Sequence, residues 1–386
     1  MKLELIATAT FGLEAVVKRE VEALGYKVLK SEDAKITFCG DERAIAKANL
    51  WLRCADRVHV KMGEFTACEF EELFQQTKAL PWEEWIPVDG RFTVSGTSVK
   101  SKLHSVPSCQ SIVKKAIVER LSETYCISQF PESGDEYPVK VSVLKDRATL
   151  TIDTSGAGLH KRGYRVRDVS APIKETLAAS MVALSFWKKG RELFDPCCGS
   201  GTIPIEAALI GRNIAPGLNR KFISEDWDAL PSGIWKEERK HAFNAIDHEA
   251  DLKIFASDVS RSAISAAREN AIEAGVDDCI RFRAMDVSGL KPERRNGIVV
   301  TNPPYGSRIG EKKEIERIYA SLRGLSLEDP TWSFFVITSD KNFENSAFGK
   351  PADRRRKLYN GRIEACYYQY HGRFERSADP PLHTRS

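Results

Sequence analysis

The chain has 386 residues, 42% of them hydrophobic and 29% charged, which is the composition of a soluble globular protein of two or three domains. No apolar run is long enough to span a bilayer, and the opening Met1-Lys2-Leu3-Glu4-Leu5 carries an early acid and no long apolar region, so neither a membrane span nor a signal peptide is expected. Nine irregularly spaced cysteines without a Cys-x-x-Cys speak against a disulfide framework and a zinc site, and a reducing cytoplasmic setting is expected. A net charge of +4 permits nucleic-acid binding without demanding it.

In chain order, the first 65 residues read β-α-β-β-α-β, a ferredoxin-like rhythm. A strand over Lys2–Ala7 is followed by a helix with Leu13, Val16, Val17, Val21 and Leu24 on one face and Gly25 at its stop. Strands at Tyr26–Lys30 and Lys35–Cys39, a helix capped by Asp41 and a strand at Arg57–Met62 complete the unit. Residues 66–155 form a second domain. A helix ends at Pro81, a long helix opens at Pro107, and Pro138–Leu144 with Arg147–Ile152 form a hairpin. On the long helix Val113, Ile117 and Leu121 point inward, while Lys114 and Lys115 face outward, either as plain solvated surface or as phosphate contacts. Residues 156–170 form a Gly-rich basic connector. Lys161, Arg162, Tyr164, Arg165 and Arg167 there suit backbone phosphates and a stacked base, or else a charged linker.

From Ser170 and Pro172 a helix is expected to Trp187, and strands then alternate with helices up to a closing hairpin at Asn360-Gly361. This is the rhythm of a mostly parallel sheet with helices on both faces, spanning 171–372. Residues 211–251, with Trp227 and Trp235, are too long for an ordinary loop and read as a substrate-side insertion. The tail from 373 to 386 reads as disordered.

Within this last domain a short strand runs into Asp195-Pro196-Cys197-Cys198-Gly199-Ser200-Gly201-Thr202, which opens a helix. The glycines let a ligand approach the backbone. The spacing is neither Gly-x-Gly-x-x-Gly nor a P-loop. A carboxylate at the strand end repels pyrophosphate and welcomes an ammonium, such as that of the methionine part of S-adenosylmethionine. The next strand ends at Asp258, where an acid can accept ribose hydroxyls, and the third ends near Asp286. The fourth, Ile298–Val300, stops at Asn302-Pro303-Pro304-Tyr305. Two prolines take the chain rigidly out of the sheet there. Singly, each acid suits an ordinary cap and the turn a stiffened loop; together they form a far more specific pattern.

Asp195–Gly201, Asp258, Asp286 and Asn302–Tyr305 resemble the motifs of class I S-adenosylmethionine-dependent methyltransferases acting on exocyclic amines. Leu159-His160-Lys161-Arg162-Gly163-Tyr164-Arg165, with Ala171-Pro172-Ile173-Lys174-Glu175-Thr176-Leu177, is similar to the narrower THUMP-containing family that includes the guanine-N2 methyltransferases of large-subunit ribosomal RNA. The longer bacterial form of that family carries a second methyltransferase domain. The resemblance covers nearly the whole chain. It implies ferredoxin-like and THUMP domains before a Rossmann-like α/β domain, with a seven-stranded, mostly parallel sheet closed by an antiparallel hairpin. It implies S-adenosylmethionine as cofactor and S-adenosylhomocysteine as product, no metal, and RNA, in particular ribosomal RNA, as partner. The cofactor set would be Asp195, Pro196, Cys197, Gly199, Gly201, Thr202, Asp258, Val259, Asp286, Val287 and Asn302. Asn302 and Pro303 would hold the amine, and Tyr305 would stack on the base. Transfer to guanine of tRNA, to adenine N6 of RNA or DNA, or to a protein glutamine uses the same turn. An inactive RNA-binding protein is the non-enzymatic alternative.

Overall fold

The computed structural model describes residues 2–169, 172–291, 295–304, 309–361 and 363–373. They divide into two compact units that do not follow the linear order. One comprises residues 1–162 and 214–246, the other residues 163–213 and 247–386.

The first unit begins with β1 (Leu3–Ala9), α1 (Glu14–Ala23), β2 (Lys27–Glu32), β3 (Lys35–Gly40), α2 (Glu42–Trp51) and β4 (Ala55–Thr66), in the anticipated order. Asp41 caps α2, its carboxylate accepting from the Ala44 N–H at 3.0 Å. After α3 (Phe70–Lys78) come β5 (Val94–Val99), α4 (Val106–Tyr125), β6 (Val139–Leu144) and β7 (Arg147–Asp153). Lys145 and Asp146 both take positive φ, the turn whose twist matches a two-residue hairpin. All seven strands join one sheet, β2-β3-β1-β4-β7-β6-β5. The twelve-residue β4 makes this possible, pairing with β1 along its first half and with β7 from His59 to Thr66. The ferredoxin-like and second segments, divided at 65/66 in the sequence, therefore share backbone hydrogen bonds through β4.

The insertion also departs from expectation. Residues 214–246, including α7 (Ile234–Asn244), belong to this first unit. Trp227 stacks on Tyr137 at 4.7 Å and meets Trp85 edge-on, while Phe222 stacks on Trp235. The Trp227 indole N–H donates to the Glu136 carbonyl. Arg43 on α2 pairs with Glu237 and Glu238 of α7, both at 2.7 Å. Nothing in the local sequence could show these contacts with the first segment, since Trp85, Glu136, Tyr137 and Arg43 each lie 90 or more residues from their partners in the insertion.

The second unit holds α5 (Glu175–Leu184), β8 (Leu193–Asp195), α6 (Thr202–Gly211), β9 (Ile254–Asp258), α8 (Arg261–Glu273), β10 (Ile280–Ala284), β11 (Ile298–Thr301), α9 (Ile309–Glu328), β12 (Ser333–Thr338), β13 (Arg354–Asn360) and β14 (Ile363–Tyr370). The expected start of α5 at Ser170 lies outside the described residues. The helix stops before Trp187 because the Ser185 hydroxyl donates to the Val182 carbonyl and accepts from the Trp187 N–H. The sheet runs β10-β9-β8-β11-β12-β14-β13, parallel from β10 to β12, with β14 antiparallel to both its neighbours. Its order reverses at β8, so β8 and β11 lie side by side and their carboxyl ends frame the crevice expected to hold a ligand. Phe194, Val299, Leu322, Phe334 and Tyr368 belong to the core beneath. Arg373, assigned to the tail, is anchored by its N–H to the Pro330 carbonyl; the rest of that segment, 374–386, lies outside the described residues.

Candidate active site

Asp195 ends β8 and is almost fully buried. One carboxylate oxygen, Oδ1, accepts from the Thr301 hydroxyl at 2.8 Å and from the Cys197 N–H at 3.2 Å. The other, Oδ2, is buried with no hydrogen-bond partner among the described residues. Burial raises the carboxyl pKa to about 7; the Thr301 and Cys197 bonds work against that rise, and the charge of Asp258 adds to it. An unsatisfied buried oxygen is costly, and a ligand ammonium would satisfy it while drawing the carboxyl back to its ionised form.

The loop after Asp195 is built for close approach. Gly199 and Gly201 take φ of +52° and +83°, and a Cβ on Gly201 would stand 3.0 Å from the Ala267 Cβ. Asp258, at the end of β9, accepts from the Gly199 N–H at 3.0 Å and from the Ser260 N–H at 2.9 Å. Each of its oxygens keeps a further acceptor site, so it can still take a pair of hydroxyls. Val259 is an exposed apolar side chain beside it, available to a flat ring. Asp286, exposed after β10, accepts from the N–H and hydroxyl of Ser288, and these bonds, with the charge of Arg317, lower its pKa. Pro196 is buried, and Cys197 packs on the core while its backbone holds Asp195. Burial, with the nearby Asp195 and Asp258, pushes the Cys197 thiol well above its ordinary range, which leaves it a poor nucleophile.

Beyond β11, Asn302 is half-buried, and its Oδ1 is a second buried acceptor without a partner among the described residues. Pro303 is buried and Pro304 exposed. Tyr305 lies outside the described residues. Thr301 and Asn302 are neighbours at one strand end, so the hydroxyl that holds Asp195 and the Asn302 amide are set by the same backbone.

Other expectations need correction. The Val287 side chain is buried in the core. The Thr202 hydroxyl accepts from Arg165. That arginine is largely buried, paired with Glu175 at 2.8 Å and donating also to the Ile173 carbonyl. Tyr164 is buried with its hydroxyl on Glu206 at 3.0 Å, so its ring cannot receive a base. Arg162 is buried and donates to the carbonyls of Leu159 and Arg53. These three hold the fold. Lys114, Lys115 and Lys161 are exposed, as is Arg167, which pairs at the surface with Glu269. Among the described residues no cluster of His, Cys, Asp or Glu has the arrangement of a metal site, and no helix is long and apolar enough to cross a membrane.

Two residues that tie the parts of this site together escaped the sequence reading. Thr301 had a faint signal as a hydroxyl ending an otherwise apolar buried strand. Asn270, buried on α8, had none. Its Oδ1 accepts from the N–H groups of Val166 and Arg167, and its Nδ2 donates to the carbonyls of Arg167 and Ser200, clamping the connector to the glycine loop.

A seven-stranded sheet of this order, with acids at successive strand ends and Asn-Pro-Pro-Tyr at the fourth, defines a class I S-adenosylmethionine-dependent methyltransferase. Residues 162–369 match the family described as RMKL-like, methyltransferase domain; residues 4–59 match the RlmL ferredoxin-like domain and 67–153 the THUMP domain. The chain belongs to the RMKL-like methyltransferase family. It is 50% identical over 96% of both chains to a Bacillus subtilis protein provisionally described as the RNA methyltransferase YpsC. It is 35% identical to the ribosomal RNA large subunit methyltransferase K/L of Syntrophotalea carbinolica, covering 94% of this chain and about half (52%) of that one. A crystal structure from Listeria monocytogenes, described as a predicted N6-adenine-specific DNA methylase, superposes with a TM-score of 0.92 at 50% identity over 97% of each chain. A methyltransferase crystallised with S-adenosylhomocysteine gives 0.90 at 42% identity, over 97% of this chain and 99% of the other.

Proposed function

We propose that this protein methylates the exocyclic amine of a base in RNA, guanine N2 in large-subunit ribosomal RNA. The reading rests above all on the buried Oδ1 of Asn302 at the end of β11, which has no partner among the described residues and lies one residue from the hydroxyl that holds Asp195. S-adenosylmethionine supplies a sulfonium-activated methyl group. The orphaned Oδ2 of Asp195, the cradle at Gly199–Gly201 and the remaining acceptor sites of Asp258 fit its ammonium, its approach to the backbone and its ribose. An aromatic amine is a weak nucleophile because its lone pair is delocalised. Asn302 Oδ1 and the Pro303 carbonyl, both acceptors, can grip its two hydrogens and turn the lone pair out of the ring plane. Positioning is then most of the catalytic task, and the proton leaves to solvent after transfer. A base inside a helix must first be flipped out. Lys114, Lys115, Lys161 and Arg167, all exposed, would meet phosphates, and a cytoplasmic site of action accords with this substrate.

Asn302→Ala should lower transfer by roughly 100-fold or more while leaving S-adenosylmethionine affinity nearly unchanged, as measured by labelled-methyl transfer and calorimetry. Near-normal turnover would refute the assignment. The description of the Listeria relative supports a second reading, adenine N6. Mass spectrometry of nucleosides from ribosomal RNA, transfer RNA and DNA, with and without this gene, separates the two.

A further inference from the structure

The hairpin β13–β14 is not used by the reaction as derived above. Residues 350–364 hold six basic and two acidic residues, a net of +4 that equals the charge of the whole chain. Arg354, Arg355, Arg356 and Lys357 are consecutive on β13, one of the two edge strands of the catalytic sheet as described. Arg354, Arg355 and Lys357 are exposed.

Strand register fixes where these cations stand. Thr301 lies opposite Val336, Val336 opposite Tyr368, and Tyr368 opposite Arg355. Because β14 is antiparallel to both β12 and β13, β13 runs parallel to β11. Lys357 therefore lies two residues, roughly 7 Å, beyond the row of Thr301, on the side toward which Asn302 leaves the sheet. Three strand spacings, roughly 14 Å, separate the two strands laterally. That is within reach of nucleotides flanking a base held at Asn302.

The charges are available. Arg354 has no acidic partner among the described residues. Arg355 meets Glu344 at 3.4 Å and Lys357 meets Glu364 at 2.6 Å, with the lysine also over the Tyr359 ring. Both cations are more than half exposed, and solvent-exposed pairs contribute little, so a phosphate can replace the carboxylate at small cost. Blocking edge-to-edge aggregation needs only a single lysine or a bulge on an edge strand, fewer charges than this run supplies.

We propose that the β13–β14 hairpin is an RNA-contacting arm of the catalytic unit, with Arg354, Arg355 and Lys357 taking phosphates beside the target nucleotide. The inference depends on the RNA substrate proposed above. The test is the full-length triple variant Arg354→Ala/Arg355→Ala/Lys357→Ala, with a protein-free transcript of large-subunit ribosomal RNA as probe. Three lost contacts to single-stranded backbone should make the slope of log affinity against log salt shallower by about 2. KM for RNA should rise, with kcat, S-adenosylmethionine affinity and melting temperature unchanged, and Arg354→Lys/Arg355→Lys should keep the wild-type slope. Wild-type RNA binding with the same slope and KM in the triple variant would overturn the arm alone. So would a loss of binding that light scattering traces to aggregation, which would return the charges to edge protection. A wild-type chain that bound no RNA would overturn the substrate reading and the arm with it.

Discussion

Asp195 has Oδ1 engaged by Thr301 and Cys197 and Oδ2 buried without a partner among the described residues, and burial raises its carboxyl pKa to about 7. In the unfolded chain the same group titrates near 3.8. Between those values the folded protein binds a proton that the unfolded one has released. The contribution of this group to stability is therefore fully present below the unfolded pKa and is lost as pH rises through about 7. Asn cannot ionise, so Asp195→Asn should gain in melting temperature relative to wild type between pH 5 and pH 8. The same substitution should weaken S-adenosylmethionine binding about ten- to a hundred-fold at pH 7.5 and abolish the rise of affinity between pH 6 and 7.5. Thermal melts and calorimetry across that range check both halves; a melting difference constant with pH would contradict the buried, raised carboxyl. Asp195 was legible in the sequence because strand-end position alone places it. The partner that orients it was not, since Thr301 lies 106 residues further on.

At the scale of single elements, the glycine loop depends on backbone shape more than on side chains. Gly190 and Gly201 have almost the same dihedral, φ +84° and +83°, but nothing stands within 4 Å of a Cβ on Gly190, whereas Gly201 faces Ala267 at 3.0 Å. Alanine at either position pays for positive φ; only at Gly201 must it also push α8 away. Gly201→Ala should be about 1–3 kcal/mol less stable than Gly190→Ala in urea unfolding of the full chain. Gly201→Ala alone should lose cofactor affinity, and equal losses in both variants would remove the close-packing argument. The motif made this loop readable, because Gly-Ser-Gly before a helix has few other uses. The connector was not readable by the same means. A cation that pairs internally and one that meets phosphate look alike in sequence, and Tyr164 is told apart only by Glu206, 42 residues away.

For the whole molecule, the order of elements followed from hydrophobic periodicity and turn chemistry, yet the grouping of elements did not, because it rests on aromatic contacts between distant segments. Trp227 is the clearest case. Its ring lies against Tyr137 and Trp85, it is buried, and its N–H is taken by Glu136. The loop that carries it leaves the catalytic unit after Asn213 and returns at Asp247, but packs with residues 1–162. Trp227→Ala in the full chain removes a large buried side chain and should cost about 3–5 kcal/mol. The location of the damage distinguishes this arrangement from an insertion on the catalytic unit. Hydrogen exchange should accelerate in the described amides of β6 and β7, beside Tyr137, while β11 and β12 keep their protection. Faster exchange in Ile298–Thr301 with β6 and β7 unchanged would instead assign the insertion to the catalytic sheet.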